Sequence, residues 1–164
     1  RKLMADDKKQ IIHNVNNSYW FERAIANSSY QYTSGNIVGG MGTLELRGAD
    51  GSGGGGTDRV ITIIDDAAVE MAMRIWFFRR LPSTFADTAA FVPTLQDFIK
   101  CAGYVDIDAG DYVNYGTRSF AQARTANLDF SCPDGHLYYY VEARGAGVFI
   151  GANKLYINFG HWPD

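Results

Sequence analysis

Cysteine, histidine, proline and long apolar runs are all scarce in this chain, and each scarcity excludes something. Of its 164 residues, two are Cys, three are His and four are Pro. Cys101 and Cys132 lack Cys-x-x-Cys spacing and have no His beside them, which argues against a zinc site. His13, His136 and His161 are too scattered to form a triad or a metal cluster. No apolar run reaches the roughly eighteen residues that a helical membrane span needs. A chain opening Arg1-Lys2-Leu3 rather than on Met still leaves room for an upstream hydrophobic anchor. Charge of one sign is missing too. The net charge of −3 is spread among interspersed residues, so there is no electrostatic footprint for nucleic acid.

Aromatics and glycine are plentiful. Ten Tyr, ten Phe and three Trp are a high aromatic content, concentrated after Trp76 and in the last thirty residues. The tract Gly51-Ser52-Gly53-Gly54-Gly55-Gly56 separates two strand-like segments, 42–47 and 59–64, and reads as the tip of a hairpin. A phosphate loop would feed a helix and carry Lys, whereas this tract is followed by Thr57-Asp58.

Periodicity gives an α+β expectation for a single domain, 1–164. The pattern Ile11, Ile12, Val15, Tyr19 and Ile25 predicts an N-terminal amphipathic helix over 6–27. Val69, Ala72, Met73 and Trp76, with Asp65 or Asp66 as cap and Pro82 as stop, predict a central buried helix over 66–80. Thr94 and Asp97 predict a capped helix over 93–102 whose buried stripe is Leu95, Phe98, Ile99 and Ala102. Alternation over 111–115, 128–132, 136–142, 148–150 and 155–159 predicts a C-terminal β meander. The helices are expected to pack on this mostly antiparallel sheet.

Several residues bear chemistry worth placing. Asp106, Asp108 and Asp111 alternate and surround Gly110, as hard-cation ligands for Ca²⁺ do, although Thr117 stands where an EF-hand needs Glu. An acidic solvated turn is the simpler reading. Tyr138 and Tyr140 face away from Leu137, Tyr139 and Val141 on one strand. With Tyr156 and Trp162 they form a candidate surface for a glycan, a small ligand or a protein partner. Asp134, His136 and Asp106 are the remaining acid/base candidates, and no set of catalytic groups converges in the sequence. Cys101 and Cys132 are either free thiols or a disulfide, which would contribute about 3–4 kcal/mol and suit an extracellular, cell-surface or periplasmic setting.

The run Asp66-Ala67-Ala68-Val69-Glu70, followed by Arg80-Leu81-Pro82-Ser83-Thr84 and Phe85-Ala86-Asp87, resembles the helix and Leu-Pro turn of type IV pilins and pseudopilins. That resemblance implies a filament subunit whose helix packs on an antiparallel sheet. It also implies subunit contacts made by a C-terminal region bounded by Cys101 and Cys132. The sequence thus points to a non-enzymatic extracytoplasmic assembly subunit that binds itself or other protein subunits. A glycan- or small-ligand-binding module is the alternative.

Overall fold

Period-two alternation, more than helical periodicity, organises this chain in three dimensions. The computed structural model describes residues 17–24, 30–46, 54–123, 128–149 and 154–163. Its strands form two antiparallel sheets packed face to face. The first sheet holds β1 (Asn17–Ala24), β4 (Gly54–Asp65), β7 (Tyr112–Asn114), β8 (Ser119–Ala123), β9 (Leu128–Cys132) and β12 (Lys154–Pro163). Their spatial order is β1-β12-β4-β8-β7. β9 pairs with the first half of β4, and β8 with the second. The second sheet runs β3 (Gly42–Glu45), β10 (His136–Ala143), β5 (Met73–Phe78) and β6 (Cys101–Ile107). A separate ribbon pairs β2 (Tyr30–Tyr32) with β11 (Gly147–Phe149).

Inward residues of both sheets share one core. Ile61, Ile63, Leu155, Ile157 and Phe159 of the first sheet are buried with Met73, Ile75, Phe77, Leu137, Tyr139 and Val141 of the second. Phe159 joins the layers: its ring lies 5.6 Å from Phe77 and 4.9 Å from Tyr139, edge-on to both, a favoured aromatic geometry. A smaller cluster covers part of the outer face of the second sheet. There Ile37, Phe78 and Tyr140 are buried beneath Phe85 and Phe91 of the segment 79–94. Tyr140 fixes that segment through its hydroxyl, which donates to the Ser83 carbonyl at 2.9 Å and accepts from the Phe85 N–H at 3.1 Å.

The α+β expectation is therefore corrected to a two-sheet β architecture, with a single α-helix among the described residues. The central helix over 66–80 does not form. Asp65 ends β4 and its carboxylate accepts the N–H groups of Ala67, Val69 and Glu70 at 2.8–2.9 Å, organising a loop instead of a helix start. Ala68 and Glu70 take positive φ of 48° and 55°, which no right-handed helix allows. Met73 to Phe78 then run extended, with Met73, Ile75 and Phe77 in the core and Trp76 and Phe78 under the covering segment. A strand covered on both faces loses its polar alternation, and its apolar run can mimic a helical stripe. The residues behind the pilin resemblance are accordingly a turn, β5 and a loop.

At the N-terminus, residues 17–24 of the expected helix are strand β1, hydrogen-bonded to β12; the rest of that helix lies outside the described residues. The C-terminal strands occur near their expected positions but not as a meander, because β9 and β12 join the first sheet while β10 joins the second. The glycine-tract hairpin is also corrected. β3 pairs with β10, and Gly54, Gly55 and Gly56 lie within β4 opposite Cys132, Ser131 and Phe130. Residues 51–53 lie outside the described set.

One glycine is fixed by crowding. A Cβ on Gly147 would stand 2.7 Å from the Met71 Sδ and 3.0 Å from its Cβ. The sulfur can swing aside, but the Cβ is tied to the backbone of a buried residue. Gly147→Ala is expected to cost about 1–3 kcal/mol by overpacking, seen as a lower urea midpoint at unchanged slope.

Candidate functional site

Beyond the covering segment, the outer face of the second sheet continues as an aromatic patch. Trp76 lies 5.0 Å from Tyr104, 5.6 Å from Phe91 and 6.0 Å from Phe98, ring to ring. The polar groups here are already engaged. Arg74 lays its guanidinium over Tyr104 at 4.0 Å and forks onto both carboxylate oxygens of Asp106 at 2.6 and 2.8 Å. That hydrogen bond holds the Asp106 carboxyl below its ordinary range, against a smaller opposing effect of burial. Trp76 Nε1 donates to Glu142 at 2.7 Å, and Arg144 pairs with the other oxygen of Glu142. The surface left between these pairs is apolar.

Helix α1 (Leu95–Lys100) borders this patch and has its faces reversed. The expected capping box is present: Thr94 Oγ1 accepts from the Asp97 N–H, and Asp97 accepts from the Thr94 N–H. Asp97 does more than cap. Its carboxylate accepts from the N–H and hydroxyl of Ser83 at 2.8 and 3.0 Å, and from the N–H and hydroxyl of Thr94 at 2.9 and 2.8 Å. Burial pushes this carboxyl upward, but four donors outweigh burial and bring it from 3.8 to about 2. Holding Asp97 inward, with only 1% exposed, turns the apolar stripe out to solvent. Leu95 is 74% exposed, Ile99 65% and neighbouring Val92 71%, with Phe98 half exposed beside them. The expected buried stripe Leu95, Phe98 and Ile99 is thus corrected to an exposed one.

A second apolar row crosses the outer face of the first sheet. Tyr156 of β12 is opposite Ile64 of β4, Ile64 is opposite Phe120 of β8, and Phe120 is opposite Val113 of β7. Tyr115 and Arg118 join Ile64 and Phe120 around a cleft of about 380 Å³. Arg118 pairs with Asp66.

The residues singled out in the sequence are dispersed. Tyr140 is fully buried, whereas Tyr138 is half-buried and donates to Asp134 at 3.2 Å. Burial, then the nearby Asp134, raises the Tyr138 phenol above its ordinary range. Tyr156 belongs to the other sheet. Trp162 lies in β12 opposite Thr57, and its side chain is outside the described residues. Asp106 is committed to Arg74, and Asp111 accepts the Asp108 N–H in a 3₁₀ turn. Among the described residues no three His, Cys, Asp or Glu side chains gather as metal ligands. His136 places Nδ1 2.8 Å from the Asp134 carbonyl oxygen, which makes the pair a turn contact.

Cys101 and Cys132 are not joined by a disulfide here. They pack in different apolar clusters, Cys132 in the main core and Cys101 beside the smaller one. Burial raises the Cys101 thiol, so it is a poor thiolate nucleophile. Reductant is expected to leave the melting temperature unchanged; a marked fall on reduction would require a bond between them.

Sequence reasoning placed the helix, its cap and its apolar residues but missed their orientation. The deciding partner, Ser83, lies fourteen residues upstream, beyond the reach of local periodicity. No family model and no curated protein matches this sequence.

Proposed function

We propose that this protein is an assembly subunit that buries the outward face of α1 against another copy of itself. The observation that carries the reading is the reversed helix. Four hydrogen bonds hold a carboxylate inward while Leu95, Phe98, Ile99 and Val92 remain in water. Scattered exposed apolar residues are ordinary, but a contiguous group beside an aromatic patch is characteristic of protein contacts. Its neighbours support the same reading. Trp76 and Tyr104 are the residue types that dominate contact energies, and Arg74 and Glu142 are already paired. Neither would enter the contact as an unpaired charge.

Light scattering over a dilution series tests the proposal. The mean mass is expected to rise with concentration from that of one chain to that of multimers. A single-chain mass at every concentration would overturn it.

A further inference from the structure

The two apolar faces lie on opposite sides of the sandwich, and the charges beside them that stand outside ion pairs among the described residues have opposite sign. Arg79, Arg80 and Lys100 line a cleft with Ile99 beside the α1 face. The one nearby carboxylate of α1, Asp97, is turned inward. At the β7–β8 end of the first sheet stand Asp66, Glu70, Asp108 and Asp111, against Arg118 as the single cation among the described side chains there. Asp66 is bound to Arg118 and Glu70 accepts from Asn114, while Asp108 and Asp111 are exposed. A two-fold pairing of α1 faces would bring two basic clusters together, which costs free energy. Placing the α1 face of one copy on the Tyr156–Ile64–Phe120–Val113 row of another brings basic surroundings to acidic ones.

Resting on the proposed self-association, we infer that copies join head to tail, the α1 face of one against the outer face of the first sheet of the next. Each copy then keeps one free face of either kind. Contacts of this heterologous type propagate into rings or open filaments instead of stopping at a dimer.

Two complementary blocked variants test this by sedimentation velocity. The α1 face is blocked by Leu95→Asp with Ile99→Asp, and the sheet face by Phe120→Asp. Each variant alone is expected to stay monomeric. An equimolar mixture is expected to form a one-to-one dimer and nothing larger, because one intact face of each kind remains. Self-association of the Phe120→Asp protein equal to wild type would overturn the head-to-tail arrangement while leaving self-association through α1 in place. Monomeric wild type would instead overturn the self-association on which it rests. Should Phe120→Asp lower the melting temperature, Asp108→Lys at an exposed position replaces it. That variant is expected to weaken wild-type assembly at least tenfold, and an unchanged assembly would count against the arrangement.

Discussion

Replacing Leu95 and Ile99 together by Asp is expected to raise the dissociation constant for self-association at least about 100-fold and to leave the melting temperature where it was. Both side chains are more than half exposed, so the folded monomer loses little packing and gains hydration. Truncating a residue at the centre of a well-packed contact typically costs about 2 kcal/mol or more, and a buried, unpaired carboxylate adds its own desolvation penalty. At 1.4 kcal/mol per tenfold change, two such sites readily exceed about 100-fold. Sedimentation velocity with parallel thermal melts checks both halves. A fall in melting temperature accompanying the loss of association would indicate that these residues support the monomer.

Asp97→Ala is expected to be the opposite kind of variant, destabilising the monomer by about 2–4 kcal/mol in urea titrations. It removes all four acceptor contacts to Ser83 and Thr94. Two of the donors are backbone N–H groups, and unsatisfied buried groups cost about 1–3 kcal/mol each. Loss of the cap adds about 1 kcal/mol where the orphaned amides do not already count it. Asp97→Asn, which keeps one acceptor oxygen, is expected to fall between. The carboxyl also gives stability an acid dependence. Its folded value, about 2, lies below the ordinary 3.8. The stabilisation is therefore fully present above about pH 4 and is lost as pH falls toward 2. Nearly two pKa units would correspond to roughly 2.5 kcal/mol. The group lies close beneath the surface, so solvent screening reduces this to about 1–2 kcal/mol. An acid titration of stability that is identical in wild type and Asp97→Asn would contradict the assignment.

Local signals survived into the structure where local forces decide. The Thr94 and Asp97 capping box and strands β7 and β11 are such cases, because a cap spans one helical turn and alternation survives where only one face of a strand is buried. β5 was illegible because Met73 and Phe77 face one apolar layer while Trp76 and Phe78 face another. Sheet membership was illegible for a different reason. β3 finds β10, and β4 finds β12, across most of the chain, and nothing in either strand names its partner. The candidate site combines both situations. Its residues were visible as an apolar helical stripe, but the direction they face depends on Asp97 meeting Ser83, Thr94 being adjacent. The Tyr156 row was visible in one member only, since Ile64, Phe120 and Val113 align through three strand pairings, two of them between strands far apart in sequence.

The central claim is that the outward face of α1 is covered by a second copy of this chain. A benzophenone-bearing amino acid in place of Ile99, irradiated at concentrations that span the association, tests it most directly. The predicted result is a covalent chain-to-chain product that grows with concentration and whose second attachment point maps to β4, β7, β8 or β12. Irradiation that yields only single chains at every concentration would contradict the claim.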